Sequence, residues 1–171
     1  MRRRFLAISM ALVALAGLTA GPAVVGGAGS RMLEFGSMTG LPSAFTGVRA
    51  PIRGVNGGGL PWVIGSGRGE LTTGGWLEVK VRDLVIDPSD ATAISRGVAG
   101  TNPIASFRAL VSCLTADGGT ANVLSDPFPV TTGFMGGDGG IETQLALPSP
   151  CLAPIVFITS PGGAWFATTG G

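Results

Sequence analysis

The sequence predicts an all-β fold, a single antiparallel β-sandwich or barrel-like domain with one disulfide, behind an N-terminal signal peptide. Three observations lead there: short apolar runs alternate with polar residues at period two, glycines and prolines punctuate them, and no sustained helical period follows the opening segment. The 30 glycines among 171 residues fall singly or in pairs and triplets between these runs. A chain that is 45% hydrophobic and only 12% charged lacks the composition of a disordered one, so the glycines read as turns.

The opening MRRRFLAISMALVALAGLTAGPAVVGGAGS places three arginines before an apolar run from Phe5 to Leu18, then small residues and a proline. That order is the charged, apolar and cleavage region of a secretory signal, and the run falls short of the ~20 residues a bilayer span needs. Residues 1–28 are therefore assigned to the signal, with cleavage after Ala20, Ala23 or Ala28, and residues 29–171 to the β domain. Arg2, Arg3, Phe5 and Leu6 also fit the core of a twin-arginine signal, and the export route stays open between the two. The segment has no cysteine to carry a lipid. The expectation is a secreted, extracellular protein with no integral membrane segment in the mature chain.

The strands follow in order. RMLEF, AFTGV and PWVIG are short candidates, the last after the flexible Gly57–Gly59. In WLEVKVR, Leu77, Val79 and Val81 alternate with Trp76, Glu78, Lys80 and Arg82, the pattern of a strand with one face on a core and one in water. GELTT precedes it, and Gly74-Gly75 is able to take the positive φ angles of a two-residue turn, so residues 69–84 read as a hairpin. Within PSDATAISRG, Ser89 or Asp90 is placed to cap one helical turn. IASFRALVSCLT sets Phe107, Ala109, Val111 and Cys113 against Arg108, Leu110, Ser112 and Leu114, and ADGG returns the chain into TANVL. IETQLAL alternates Ile141, Thr143, Leu145 and Leu147 against Glu142, Gln144 and Ala146. IVFIT, SPGG and AWFAT make a last hairpin, apolar at nearly every position and so central.

Cys113 and Cys151 are the only cysteines. Two thiols without histidine do not complete a tetrahedral metal site, and their separation is far from a CxxC pair. In an exported chain they read as a structural disulfide, pinning the stiff PSPCLAP crossing to the inward face of the strand that carries Cys113.

Composition also excludes chemistry. Histidine and tyrosine are absent, which removes Ser-His-Asp and Cys-His nucleophile systems and His-dependent zinc or copper sites. Arg2, Arg3 and Arg4 are three of the 11 basic residues, and the remaining eight face ten acidic ones without clustering in sequence. No nucleic-acid or anionic-membrane partner is expected from that balance. GVNGGGLPW lacks the lysine and Ser/Thr of a phosphate loop. Asn56, Asn102 and Asn122 lack a Ser or Thr two places on, and no cofactor motif is present.

Over RGVNGGGLPWVIG, TNPIASFRALVSCLT and LPSPCLAPIVFITSPGGAWFATTG the chain resembles a group of small secreted bacterial proteins from GC-rich genomes that carry no assigned function. The resemblance covers nearly the whole mature chain and implies a recurring extracellular β domain, with no activity, cofactor or catalytic residue attached. GSGRGELTTGGWLEVKVRDLVI is also similar to the first hairpin of chordin-type domains. Those domains carry histidines after that point and this chain has none.

Three groups of residues remain as candidates. Trp76, Glu78, Lys80 and Arg82 share the water-facing side of one strand, where an indole beside charges suits a sugar or a protein partner. Asp83, Asp87 and Asp90, with Asp138 and Glu142 in GGDGGIE, offer oxygen ligands of the kind calcium takes, without the spacing of an EF-hand. The ten carboxylates together allow an acid/base pair of the glycosidase type. The favoured expectation is a non-catalytic extracellular binding or structural module with an unidentified ligand or protein partner. The alternative is a carboxylate-based polysaccharide hydrolase.

Overall fold

Fourteen strands, most of them short, follow one another with one α-helical turn between residues 29 and 170, the part of the chain that the computed structural model describes. The signal assigned to residues 1–28 lies outside the described residues. In chain order the elements are β1 (Arg31–Phe35), β2 (Thr39–Gly40), a 3-10 turn (Ser43–Phe45), β3 (Trp62–Val63), β4 (Ser66–Thr72), β5 (Trp76–Arg82), β6 (Val85–Ile86), α1 (Ala91–Ser95), β7 (Thr101–Asn102), β8 (Ser106–Leu114), β9 (Thr120–Leu124), β10 (Phe128–Pro129), β11 (Gly133–Phe134), β12 (Gly139–Gln144), β13 (Leu152–Thr159) and β14 (Trp165–Thr168).

Two antiparallel sheets carry the fold. The first is ordered β1-β4-β5-β12; the second is ordered β10-β8-β13-β14-β2, with β9 paired to β8. Two further two-stranded ladders, β3-β6 and β7-β11, adjoin each other where β6 meets β7, and β3 also packs beside β2 and β14. The facing rows are Phe35, Leu71, Leu77, Val79 and Val81 from the first sheet and Phe107, Ala109, Val111, Val156 and Ile158 from the second, all in one buried cluster. Trp62 stacks on Phe166 at 4.1 Å between ring centroids, and Phe107 meets Trp62, Phe128 and Phe166 edge-on. The all-β sandwich expected from period-two alternation is the fold observed.

The hairpin of β4 and β5 differs from expectation at its turn. Leu71 pairs with Leu77, leaving a loop of three residues between Thr72 and Trp76, where a two-residue Gly74-Gly75 turn was expected. Only Gly75 takes positive φ, at +86°, and the Gly75 N–H donates to the Thr72 carbonyl at 2.9 Å. This is a turn closed by a left-handed glycine bulge. The side-chain pattern demands it, because a two-residue loop would have set inward Leu71 against outward Glu78. On β4 the inward positions include Gly67 and Gly69, where an added Cβ would stand 2.7 Å from Met38 Cγ and 2.8 Å from Phe35 Cζ. The core side chains of the β1–β2 region lie directly on this glycine backbone.

The last hairpin is apolar on both faces because its sheet is covered on both. Residues 56–58 extend the edge of β14: the Trp165 N–H donates to the Asn56 carbonyl and the Gly58 N–H to the Trp165 carbonyl, each at 2.9 Å. From there the chain from 45 to 55 crosses the outside of the sheet. Phe45 packs edge-on against Trp165 at 6.2 Å, and Arg53 Nη1 donates to the carbonyls of Ser112 (3.0 Å) and Ala153 (2.8 Å). Asn122 Nδ2 on β9 returns a bond to the Arg53 carbonyl at 3.0 Å. AFTGV, expected as a strand, is not one: its Ala44 and Phe45 end the 3-10 turn that is entered from an extended Pro42, and the rest leads into that strap. PWVIG contributes only the two residues of β3.

Cys113 and Cys151 are bonded, with Cα atoms 4.9 Å apart. Cys113 is fully buried on β8, and Cys151 stands one residue ahead of β13, where the crossing from the first sheet enters the second. Asp90 caps α1, its Oδ1 accepting from the Ala93 N–H at 2.8 Å. Asp90→Ala is expected to lower stability by about 1 kcal/mol, read as a shift in the urea midpoint. An unchanged midpoint would contradict the cap.

Candidate functional site

Register on the first sheet sorts its outward side chains into rows. Glu34 pairs with Glu70, Glu70 with Glu78, and Glu78 with Glu142, so four glutamates stand side by side across β1, β4, β5 and β12. Cross-strand partners have Cβ atoms about 5 Å apart, and like charges so placed repel. One step along the strands, roughly 7 Å away, lies a second row: Arg68 opposite Lys80, with Gly140 beyond Lys80 on β12 and Gly36 just past Phe35 on β1. Arg82, opposite Ser66, starts a third.

Ion pairs settle part of this charge. Arg31 reaches Glu34 Oε2 at 2.7 Å and Glu70 Oε2 at 3.3 Å, and Lys80 Nζ reaches Glu78 Oε1 at 2.6 Å. Among the described residues Arg68, Arg82 and Glu142 take part in no ion pair. No carboxylate on this face is buried.

The glycines at the ends of the basic row shape the surface. Around Gly139 and Gly140 the face sinks into a depression of about 530 Å3 walled by Arg68, Lys80, Arg82, Asp138 and Glu142. Around Gly36 a second, of about 280 Å3, is walled by Glu34, Arg68, Glu70 and Glu78. Arg68 borders both. A Cβ on Gly140 would stand 2.9 Å from the Val79 carbonyl oxygen and 3.1 Å from Lys80 Cγ, so glycine there lets the lysine stem lie across β12. At Gly36 the space is open.

Asp138 is fixed at the rim of the larger depression. Its Oδ1 accepts from the Asp83 N–H at 2.8 Å, and its own N–H donates to Thr131 Oγ1 at 3.0 Å. Asp83 holds φ at +51° as β5 ends, which turns its N–H toward that carboxylate.

The residues singled out in the sequence divide. Glu78, Lys80 and Arg82 line the depressions, as do Asp138 and Glu142 from the oxygen-ligand group. Trp76 is half-buried at the turn end of the same face, opposite Gln144, and lines neither depression. Asp87 and Asp90 lie elsewhere and serve local structure. Asp87 Oδ1 accepts from the Ser89 N–H (2.8 Å) and hydroxyl (2.7 Å), and Asp90 caps α1. Among the described residues no three Asp, Glu, Cys or His side chains converge as a metal site, and no helix is long and apolar enough to cross a membrane.

Arg68, Glu34, Glu70, Gly36 and Gly140 are the members that the linear pattern did not single out as a binding group. The sequence signal for two of them was the turn: with a three-residue loop, Arg68 and Glu70 fall opposite Lys80 and Glu78. No family model, curated protein or solved structure matches the chain.

Proposed function

We propose that the protein is a secreted, non-catalytic extracellular binding module whose ligand surface is the outer face of β1-β4-β5-β12. The observation that carries this reading is the in-register pair of charged rows, one entirely glutamate and one basic with glycine ends, which leaves two guanidinium groups without carboxylate partners beside two depressions. An antiparallel sheet needs only generic polar residues on its solvated face. Like charges set directly opposite one another cost stability, and a ligand that bridges the rows relieves that cost.

A second reading draws on the same register. Glu70 and Glu78 face each other with Cβ atoms about 5 Å apart, near the carboxylate spacing of a retaining glycosidase. Against it, both are ion-paired, and both lie on an open face where water is not excluded from a reacting bond.

A glycan array probed with oxidised residues 29–171 tests the proposal. Binding of one or more glycans is expected, and it is expected to disappear in Gly36→Trp combined with Arg68→Glu, with the melting temperature checked alongside. Silence across the array, or binding that survives the blocked face, would contradict it. Release of reducing ends from a bound glycan would favour the hydrolase.

A further inference from the structure

We propose that the ligand of this face is a linear polysaccharide bearing spaced acidic groups, lying across the strands along the row Gly36–Arg68–Lys80–Gly140. The inference rests on the reading of this face as the binding surface and adds the ligand class.

The cations call for an anion. Arg68 and Arg82 have neither an ion pair nor a side-chain hydrogen bond among the described residues, and Arg68 stands directly opposite Lys80. A guanidinium offers a planar fork that fits a carboxylate or sulfate through two parallel bonds. One acidic group seated there satisfies Arg68 and removes its repulsion from Lys80.

The neighbouring row limits how much negative charge the ligand carries. Four glutamates about 7 Å from the basic row would repel a polymer as densely charged as a nucleic acid, with one charge per ~1.7 Å of duplex. Ionised carboxylates only accept hydrogen bonds, so that row calls for donors. A chain of sugar hydroxyls with an acid group at intervals supplies both.

The floor argues against a protein partner. The apolar residues lining the depressions, Phe35, Val81 and Ile141, belong to the inward rows. Protein interfaces are anchored by buried aromatic side chains and are depleted in lysine and glutamate at their cores, the reverse of this surface. The extent of the face fits a polymer. Its glycine ends lie just past β1 and on β12, the outer strands in the sheet order, so a chain crossing the roughly 14 Å of four strands meets no side chain at either end of the row, with Val130 bridged to Gly139 beyond β12.

Affinity electrophoresis of the oxidised protein through gels containing polygalacturonate, κ-carrageenan (one sulfate per disaccharide), neutral dextran or duplex DNA decides the matter. Retardation by polygalacturonate or κ-carrageenan is expected, the stronger of the two naming the acid group, with none by neutral dextran or DNA. Arg68→Ala and Arg82→Ala should each weaken that binding about tenfold, the loss of one charge-assisted contact. The remote Arg49→Ala should leave it unchanged, and Glu142→Gln should hold or tighten it. Equal retardation by neutral dextran would overturn the ligand class while leaving the binding surface in place. Equal retardation by DNA would reduce the effect to bulk charge and overturn it as well. Silence in every gel beside a positive glycan array overturns this inference alone, and silence in both overturns the binding reading too.

Discussion

Replacing Cys113 and Cys151 together by alanine is expected to remove about 4 kcal/mol of stability, the chain-entropy value for a loop of this length. The bond closes a separation of 38 residues that includes β9 to β12, and it joins the strand bearing Cys113 to the start of β13. Without it the unfolded chain regains the freedom of that loop, and the crossing that carries three prolines between 148 and 154 loses its anchor on the second sheet. Domains are stable by only ~5–15 kcal/mol, so the loss is a large share of the total. For a domain of this size the melting temperature should fall by roughly 15 °C. Thermal melts of the oxidised protein and the double variant check this, and a fall of under 3 °C would show that the cross-link constrains little.

Phe107→Ala is expected to cost about 3–5 kcal/mol, the usual range for deleting a buried aromatic ring. Phe107 has no exposed surface, and its ring lies 6.2 Å from Trp62, 6.4 Å from Phe128 and 5.7 Å from Phe166. Those three side chains come from β3, β10 and β14, so the cavity would open where separate elements converge and cannot close by moving one of them. Phe134, 76% exposed, provides the contrast, and Phe134→Ala should change stability by less than about 0.5 kcal/mol. Urea unfolding of both variants measures the difference, and equal costs would contradict the packing described.

The strands were legible because each carries its own period. In β5 and β12 the alternation of apolar and polar residues matches burial position by position, and the doubly apolar β13 and β14 mark a sheet covered on both faces. The strap over that sheet was not legible. AFTGV has the composition of a short strand, yet its Phe45 packs on Trp165 of β14 and the strap beyond it is tied by Arg53 to β8 and β13, a tertiary effect that outweighs local propensity. The candidate site was half legible. Alternation named Glu78, Lys80 and Arg82, but the rows depend on register between strands far apart in sequence, β1 with β4 and β5 with β12. Even the local hairpin hinged on one residue: a two-residue turn would have moved Glu70 from Glu78 to Val79 and hidden the acidic row. Trp76 drew notice as an outward aromatic, yet its place at the turn puts it beyond the depressions.

Amide chemical-shift mapping of 15N-labelled residues 29–171 during titration with oligogalacturonate tests the assigned ligand surface most directly. The charged-row account predicts perturbations concentrated at Gly36, Arg68, Lys80 and Gly140, with the strap around Arg53 and the exposed Phe134–Met135 tip unmoved. Saturable perturbations centred on the strap or on that tip would contradict it.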